Sequence, residues 1–405
     1  MHSSASAVRK WARVLLFGAC TSLAAAVADE TRDLPVNMPA QGLPPPFATP
    51  SVANPPYVIQ RPAGAELKLP PGFKVAEWAT GLPGPRAMLL GPGGEVLVSA
   101  TRAGAVMAIR DGGTKTLIDD LDDPYGLAFY DRWLYVAETT SVKRYPYDSK
   151  GMTVGPGEEV ISLEGTDGGH ITRTLLFDAR HEYLYVSVGS GSNVDAGEPA
   201  IRAAINRYHP GGRGHEIYAS GIRNAMGLGW NPVTGELWAT SHERDGLGDD
   251  LPPDFLTRVR QGGFYGWPYA YIGPHEDPRR RGEAPERVAK TLYPSVLLGG
   301  HAGAMGLLFY TGAQFPVKYR NGCFVALHGS WNRARRAGYR VVFVPFKDGK
   351  PIAGPEDFLT GWMLGEERQE VWGRPVGLLQ LPDGSMLVSD DGAGKIWRVS
   401  YTATK

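Results

Sequence analysis

The sequence predicts an all-β fold, specifically a six-bladed β-propeller. After Pro71, short runs of alternating apolar residues are separated by clusters of Gly, Pro, Asp and Asn, which is typical of strands joined by hairpins. Their spacing of roughly 40 to 90 residues suits propeller blades with loops of unequal length. A plain β-sandwich would explain the strands but not a sixfold recurrence. The six repeated apolar triplets are Val96-Leu97-Val98, Leu134-Tyr135-Val136, Leu184-Tyr185-Val186, Leu237-Trp238-Ala239, Phe324-Val325-Ala326 and Met386-Leu387-Val388.

Turn signals and second strands accompany the triplets. Gly91-Pro92-Gly93-Gly94 and Pro382-Asp383-Gly384 each precede a triplet, because Pro presets φ and Gly accepts a positive φ. Second runs of strand-forming residues follow three triplets, at residues 104–109, 338–343 and 394–399. Each triplet is therefore expected to belong to a hairpin of its own blade.

Charge and hydropathy exclude several classes of function. The 405-residue chain has 42 Lys and Arg against 42 Asp and Glu, so its summed field gives no general attraction to nucleic acid or to an anionic membrane. Beyond the N-terminal segment, no run approaches the roughly 18 apolar residues that a membrane span needs. We expect no nucleic-acid partner and no membrane span, and any anion site must be a local cluster.

Residues 1–28 have the features of a secretory signal peptide. Basic residues precede a short apolar run, and Ala26-Val27-Ala28 supplies a small-residue cleavage site. The protein is therefore expected to be periplasmic or secreted. Alternatively, Phe17-Gly18-Ala19-Cys20 is a lipoprotein cleavage site with lipid attached at Cys20. Loss of Cys20 would leave Cys323 alone, so no intramolecular disulfide is expected.

The rest of the chain divides into two parts. Residues 29–66 are rich in proline, which disfavours helix and sheet and predicts an arm or linker. Residues 67–403 form the predicted propeller domain. Its longest insertion, roughly residues 241–319, is rich in Gly, Pro and aromatic residues, a composition typical of a functional loop rather than of disorder. Loops between the triplets should line a funnel at one face of the ring.

Several of these loops carry side chains suited to an anionic ligand. His170 precedes the third triplet, and a neutral imidazole there can accept a proton near pH 7. A guanidinium beside an amide matches the oxygens of a carboxylate or quinone. One central polyanion would explain why such residues adjoin different blades, whereas the alternative for each is a structural role in its loop. The further candidates are Arg223, Asn224, His328, Asn332, Arg333 and Arg374.

Residues 244–250 form a glycine-bearing acidic loop that can offer carboxylate and backbone carbonyl oxygens to calcium. The loop lacks the order of acidic residues found in an EF-hand, and an ordinary acidic turn is the alternative. Motifs of zinc hydrolases, α/β-hydrolases and covalent haem attachment do not occur in the sequence. Those three classes are therefore unsupported.

The chain resembles the soluble pyrroloquinoline-quinone-dependent sugar dehydrogenases, and within them the sorbosone dehydrogenase-like branch. The resemblance runs from about Leu67 to Tyr401 and implies a six-bladed propeller, in agreement with the repeat. The strings that carry it are Gly221-Ile222-Arg223-Asn224, Asp249-Asp250-Leu251-Pro252-Pro253-Asp254, His328-Gly329-Ser330-Trp331-Asn332-Arg333 and Trp372-Gly373-Arg374-Pro375.

The resemblance implies a role for each candidate. His170 would be the general base that takes the hydroxyl proton of a sugar or aldehyde hydrate, while hydride passes to pyrroloquinoline quinone (PQQ). Arg223 would stabilise the negative charge that develops on the quinone. A calcium ion would bind the backbone carbonyls of Arg244 and Asp245. The cofactor-binding residues would be Asn224, His328, Arg333 and Arg374, with the two arginines on the cofactor's carboxylates.

Two positions depart from related glucose dehydrogenases, which place an Asp directly before the base and another that orients it. Gly169 and Ser190 stand at these positions, and Asp167 is the candidate substitute for the orienting carboxylate. The expected activity is oxidation of an aldose, sorbosone or another aldehyde, with an external electron acceptor. The rivals are a calcium-dependent, lactonase-like hydrolase and a non-catalytic propeller that binds glycan or protein.

Overall fold

The computed structural model describes residues 33–402 and confirms the six-bladed propeller. Six sheets lie in a ring, and each apolar triplet lies in the second strand of a different sheet. The sixfold repeat therefore identified one strand per blade. The predicted signal peptide and Cys20 lie outside the described residues.

Blades 1 to 3 follow one another along the chain. Blade 1 contains β3 (Met88–Leu90), β4 (Val96–Ala100), β5 (Ala105–Arg110) and β6 (Gly113–Ile118). Blade 2 contains β7 (Leu127–Tyr130), β8 (Trp133–Ala137), β9 (Ser141–Asp148), β10 (Thr153–Val154) and β11 (Glu158–Ser162). Blade 3 contains β12 (Leu175–Phe177), β13 (Leu184–Val188), β14 (Ala204–Tyr208) and β15 (Glu216–Ser220), with β19 (Gly263–Phe264) parallel at its edge.

Blades 4 to 6 carry the longer insertions. Blade 4 contains β16 (Asn224–Trp230), β17 (Leu237–His242), β18 (Pro253–Arg258) and β22 (Val296–Gly300). Blade 5 contains β23 (Ala304–Phe309), β24 (Cys323–Leu327), β25 (Arg340–Val344) and β28 (Glu356–Leu359). Blade 6 contains β30 (Pro375–Gln380), β31 (Met386–Asp390), β32 (Lys395–Tyr401) and β2 (Phe73–Thr80). The smaller elements are the pairs β20 (Ala270–Tyr271) with β21 (His275–Glu276) and β26 (Phe346–Lys347) with β27 (Lys350–Pro351), and helix α1 (Pro285–Ala289).

The central strands are buried on both faces, because neighbouring blades cover them. Strands β4, β13, β24 and β31 are buried along their whole length. A strand covered on both sides reads as a continuous apolar run rather than as alternating polar and apolar residues. The repeat was therefore visible as triplets.

The ring closes where the two ends of the propeller meet. Strand β2 pairs antiparallel with β32 and becomes the outer strand of blade 6, with Phe73 opposite Tyr401. Aromatic ring pairs such as Phe73 with Tyr401 each contribute about 0.5–1.5 kcal/mol beyond the area that they bury. Closure thus combines a hydrogen-bonded ladder with an aromatic cluster. The Phe73 ring packs edge-on, at centroid distances of 4.9, 5.3, 5.0 and 4.9 Å, against Phe315, Tyr319, Phe358 and Tyr401.

The described part of the proline-rich segment is anchored to the propeller. Strand β1 (Tyr57–Val58) pairs in parallel with β29 (Glu370–Val371), which precedes blade 6. Asn37 exchanges two hydrogen bonds of 2.9 Å with the backbone of Leu297. Asn54 donates to the carbonyls of Arg333 and Ala334. These contacts hold parts of residues 34–59 against the propeller.

Two sequence expectations need correction. Residues 241–319 are not one insertion, because they contain β18, β22 and β23; the insertion proper is residues 259–295. Pro at the start of β18 and Gly at the end of β22 are typical of loops, so the sequence pattern did not indicate these two strands. Asn224 begins β16 instead of opening a loop.

The expectations about a membrane span and a disulfide can be compared with residues 33–402. None of the helices in that span has the length and apolar character needed to cross a membrane. Cys323 is buried and has a free thiol.

Removal of β2 should open the ring. A chain beginning at Gly81 lacks the outer strand of blade 6 and exposes the edge of β32, whereas a chain beginning at Leu67 keeps β2 and loses only the preceding segment. We expect the longer form to elute as a compact monomer and the shorter to aggregate or lose its cooperative thermal transition. Gel filtration and circular dichroism compare the two. Equal thermal transitions would contradict this account of closure.

Candidate functional site

Loops from blades 3 to 6 converge on a cavity of about 450 Å³. Some of these loops join the second and third strands of a blade, and others lead from the last strand of one blade to the next blade. Because the blades are arranged in a ring, residues distant in sequence meet there. The volume suits a small-molecule site. Five of the eight predicted site residues line the cavity: His170, Arg223, Asp245, His328 and Arg374.

The backbone orients the His170 ring. Its Nδ1 donates a hydrogen bond to the Ser190 carbonyl at 2.8 Å, and the Ser190 hydroxyl lies 3.1 Å from the same nitrogen while donating to the Ser192 carbonyl. Since Nδ1 carries the proton, Nε2 keeps the lone pair that a base needs. The Ser190 carbonyl thus takes the orienting place expected for a carboxylate.

Burial keeps His170 neutral. Desolvation, and secondarily the charge of Arg223, lowers the pKa of His170 from 6.5 to about 3. The imidazole is therefore in its proton-accepting form throughout the physiological pH range.

Glycine is required directly before His170. Gly169 has φ of +62°, and a Cβ at this position would lie 2.3 Å from the Gly191 carbonyl oxygen. An Asp at position 169 would therefore both strain the backbone and clash. Asp167 is exposed, and its backbone carbonyl accepts from Arg202. Within residues 33–402, the hydrogen bonds of the His170 ring are made to Ser190 and not to Asp167.

Two arginines outside the predicted site hold the loop that carries His170. Arg173 is fully buried and donates to the carbonyls of His170 and Thr166, each at 2.6 Å. Arg202 donates to the carbonyl of Asp167 at 2.7 Å and to that of Gly189 at 3.0 Å. Arg173 donates to carbonyls within its own loop, and Arg202 donates to carbonyls far away in the sequence. Neither arrangement leaves a recognisable local pattern in the sequence.

Arg223 is buried and held by several acceptors. It donates to the Glu243 carbonyl at 2.8 Å and to the backbone and side-chain oxygens of Asn193 at 3.2 and 3.1 Å. Its Nη2 also lies 3.4 Å from Asp245 Oδ2. Burial lowers the pKa of Arg223, and the Asp245 charge opposes that effect. These contacts fix the guanidinium and leave at least one of its five N–H groups for a ligand.

Arg374 has a different environment. Its backbone is fixed by Asp390, and its Nε donates weakly to the His328 carbonyl at 3.4 Å. Within the described chain, no hydrogen-bond acceptor contacts either terminal nitrogen of Arg374. Burial lowers the pKa of this guanidinium, and the Asp391 charge counteracts the decrease. A charged fork with open donors therefore lines the cavity.

His328 is paired with a buried carboxylate. Its Nε2 donates to Asp391 Oδ1 at 2.8 Å. The Asp391 side chain is 9% exposed and lies near Arg86. Desolvation, and then the Arg374 charge, lowers the pKa of His328 to about 3. The pair is therefore a neutral imidazole donating to an ionised Asp391.

Asp245 connects three loops. Its Oδ1 accepts from Asn332, which also donates to His301 Nδ1 at 3.1 Å, and its Oδ2 faces Arg223. Its backbone carbonyl accepts from Asn193 Nδ2 at 3.0 Å and from Arg279 Nη1 at 2.7 Å. Every oxygen of Asp245 thus has at least one N–H donor. A calcium ion at this carbonyl would have to displace such donors.

Three predicted site residues do not line the cavity. Arg244 points into the protein, where it contacts Glu243 at 3.0 Å and Asp277 at 3.3 Å. Arg333 donates to the Gly300 carbonyl at 3.1 Å and pairs with Asp250 at 3.0 Å. Asn224 is buried behind the wall, and a Cβ on Gly189 would approach its Oδ1 to 2.5 Å.

The cavity also contains polar groups that the sequence analysis did not identify. His242 Nε2 and Glu243 Oε1 are buried without a hydrogen-bond partner in the described structure. Burial raises the pKa of Glu243, and the adjacent charge of Arg244 opposes that effect. Unpartnered buried atoms of this kind indicate a polar ligand. Trp331, half exposed at 50%, adds an apolar surface to the wall.

A cluster of three or more His, Cys, Asp or Glu side chains able to hold a metal is absent from residues 33–402. Calcium would therefore depend on backbone carbonyls, as predicted for residues 244 and 245. The metal role of these two residues stays a prediction.

Acidification should destabilise the protein partly through His170. The folded pKa of about 3 lies below the unfolded value of 6.5, so the unfolded chain binds more protons between these values. The free energy of unfolding should fall as pH drops through this window, by about 1.4 kcal/mol per pH unit for such a histidine. His170→Gln should reduce that slope, as urea unfolding from about pH 4.5 to 7.5 would measure. His209→Gln, at an exposed position outside the cavity, is the control; an unchanged slope in His170→Gln would contradict the buried neutral state.

Comparison with known proteins agrees with the fold and identifies a family. A family profile described as TrAA12-like matches residues 67–251 and 286–402, and one described as Glucose / Sorbosone dehydrogenase matches residues 203–330. An uncharacterized protein of Borreliella burgdorferi is 27% identical over 351 residues, covering 83% of this chain and 91% of the relative.

A curated relative and a solved structure extend the comparison. A pyrroloquinoline quinone-dependent sugar dehydrogenase of Hypocrea jecorina is 29% identical over 242 residues, which cover 49% of this chain and 56% of the relative. The chain thus spans about half the length of that enzyme. The calcium structure of Trichoderma reesei Carbohydrate-Active Enzymes Family AA12 has a TM-score of 0.73 at 23% identity, covering 85% of this chain and 98% of that one, a likeness of fold. The family matches and the shared propeller show that the chain belongs to the TrAA12-like family, within the soluble PQQ-dependent glucose/sorbosone dehydrogenase group.

Proposed function

We propose that this protein is a PQQ-dependent dehydrogenase that oxidises a sugar or aldehyde hydrate in the cavity between blades 3 and 6. Arg374 carries the proposal: its partly buried guanidinium lines the cavity, and its terminal nitrogens have no acceptor among residues 33–402. Unpaired donors on a desolvated charge are costly, and the nearby Asp391 offsets that cost only in part, so a ligand with carboxylates is favoured there. PQQ is such a ligand, and the Hypocrea jecorina relative is named for it.

Other groups in the cavity also suit a polyanionic quinone. Arg223 adds a second positive charge from a different blade, at a position fixed by its own hydrogen bonds. His242 Nε2 and Glu243 Oε1 are buried atoms that still lack partners in the described structure. Glu243 Oε2 accepts from the buried Arg244 at 3.0 Å, which leaves Oε1 to contact a polar group of a ligand. Thus both charged and neutral groups are available to an oxygen-rich ligand.

His170 is the base in this proposal. Its Nε2 takes the proton of the substrate hydroxyl, and the resulting imidazolium keeps its Nδ1–H bond to the Ser190 carbonyl. A bound quinone would supply the acceptor for the hydride of the substrate carbon, and loss of that hydride and of the hydroxyl proton leaves a carbonyl product. A carbonyl dipole stabilises the imidazolium less than a carboxylate does, so His170 is a weaker base than one oriented by Asp.

The remaining predicted residues take supporting roles. Arg223 stabilises negative charge on the reacting oxygen, and Arg374 binds a carboxylate of the cofactor. Asn224 and His328 position the wall around the cofactor. Since Arg333 is engaged by Asp250 and Gly300, we assign it to holding its loop.

The proposal includes export, which rests on the sequence of residues 1–28, with lipid attachment at Cys20 as the alternative. The substrate class is an aldose, sorbosone or simple aldehyde, and an external acceptor reoxidises the cofactor because the chain lacks a haem-attachment motif. Titration of the purified protein with PQQ, followed by dye reduction with these substrates, tests the class. Saturable binding with turnover would support it, whereas absence of binding would leave the hydrolase and binding-propeller alternatives.

Replacement of the base should separate binding from chemistry. His170→Ala should lower kcat by at least about a hundredfold, the usual scale of general-base loss, while the affinity for PQQ changes little. Stopped-flow dye reduction and fluorescence titration measure the two quantities. His209→Ala is the matched control on the surface. Turnover in His170→Ala equal to the control would refute the base assignment.

Trp331 should contribute to substrate binding. Its half-exposed indole can stack on a sugar ring, so Trp331→Ala should raise KM about tenfold, equivalent to about 1.4 kcal/mol, with kcat nearly unchanged. Trp331→Phe should keep most of the affinity. Steady-state kinetics with one aldose compare the variants, and an unchanged KM in Trp331→Ala would exclude this contact.

A further inference from the structure

We propose that the guanidinium of Arg279 occupies the cation position at the Asp245 carbonyl, so that this cavity binds its anionic ligand without calcium there. Arg279 Nη1 donates to that carbonyl at 2.7 Å. This contact is shorter than the 3.0 Å hydrogen bond from Asn193 to the same carbonyl, and its donor carries a formal positive charge. The Asp245 carbonyl oxygen, which was expected to bind calcium, therefore already accepts a hydrogen bond from the Arg279 guanidinium.

Arg279 is fixed in this position by a buried carboxylate. Its Nε and Nη2 donate to the two oxygens of Asp277 at 2.9 and 2.8 Å, a bidentate pair. Asp277 has no exposed surface and is also held by Arg244 Nη1 at 3.3 Å. Arg279 itself is only 26% exposed. The planar fork is thus oriented before any ligand enters.

The loop is shaped to admit the guanidinium. A Cβ on Gly246, which follows Asp245, would lie 3.0 Å from Arg279 Nη1, and this glycine has φ of +92°. A larger residue there would push against the guanidinium in a strained backbone. The glycine therefore permits the close approach of Arg279.

The other oxygens of Asp245 offer no replacement site. Asn193 occupies the second lone pair of the carbonyl, and the two carboxylate oxygens face Asn332 and Arg223. Calcium needs six to eight oxygen ligands at about 2.3–2.6 Å. An ion at the Asp245 carbonyl would have to expel Arg279 and Asn193 or lie beside a guanidinium of like charge. The donor set around Asp245 does not fit the ion.

The consequence for ligand binding is electrostatic. Arg279 contacts the backbone carbonyl of Asp245, and Arg223 on the cavity wall contacts its carboxylate, so two fixed guanidinium groups adjoin this one residue. They provide the charge that a metal would otherwise supply to an anionic ligand. Binding should then depend on these arginines and on salt, and not on free calcium.

The experiment has a calcium arm that is independent of the proposed function. The wild-type protein is unfolded thermally in calcium and in excess EDTA, and titrated with calcium chloride alone by calorimetry. A folded-state site filled a thousandfold above its Kd would raise Tm by several degrees. We expect no Tm shift and no heat of site-specific binding. A saturable increase in Tm on adding calcium would overturn the inference if Arg281→Ala keeps that increase and Gly246→Ala, a change in the loop next to Asp245, abolishes it.

The quinone arm rests on the proposed function. PQQ affinity of the wild type should be the same, within about twofold, in EDTA and in calcium, whereas Arg279→Ala should weaken it about tenfold in EDTA and regain part of the loss with calcium. Arg281→Ala, an exposed neighbour of the same charge, is the matched control. A tenfold loss in wild-type affinity on adding EDTA would overturn the inference. If PQQ does not bind under either condition, the proposed function fails, and the calcium arm alone decides this inference.

Discussion

Closure of the ring by β2 against β32 is the constraint on which the site depends. The cavity is formed by loops from four successive blades, and their separation is set by how the blades pack around the ring. Because the first strand of the propeller completes the last blade, blade 6 is held at the position from which Arg374 reaches blades 3 to 5. The Phe73 cluster stabilises this junction far from the cavity. Packing at the perimeter therefore determines the distances between polar groups at the centre.

In and around the cavity, positive groups fall into two kinds. Arg173 and Arg202 donate to backbone carbonyls and hold loops beside the cavity, and Arg223 is fixed in the same way on its wall while keeping at least one N–H group for a ligand. Arg374 keeps its terminal nitrogens open to the cavity. This division follows from the cost of burying charge, since a guanidinium in the interior needs acceptors from the protein or from a ligand. The same reasoning distinguishes His170, whose Nε2 keeps its lone pair, from His328, whose Nε2 donates to Asp391.

Asp245 links the cavity to the insertion of blade 4. Its side chain connects Arg223 to Asn332, and its carbonyl connects Asn193 to Arg279. Hydrogen bonds in such a network reinforce one another in a low dielectric, and removal of one member leaves another buried group unsatisfied. The electrostatics of the cavity are consequently coupled to residues 277–279, which do not line it. Because of this coupling, Arg279 rather than the nearest acidic side chains determines whether a metal ion can bind at the Asp245 carbonyl.

The sequence alone determined the fold class, because strands buried on both faces appear as six apolar triplets whatever their loops contain. It also brought forward His170, Arg223, His328 and Arg374, since charged side chains among glycines and aromatics are unusual on loops. It did not separate β18 and β22 from the insertion, because Pro and Gly at their ends mimic loop. Only the tertiary structure decided that Ser190 orients His170 through its carbonyl, that Gly169 excludes a carboxylate, that Arg333 faces Asp250, and that Arg279 reaches Asp245. These contacts join segments far apart in the chain, and several use backbone atoms, which every residue possesses and which therefore leave no mark in the sequence.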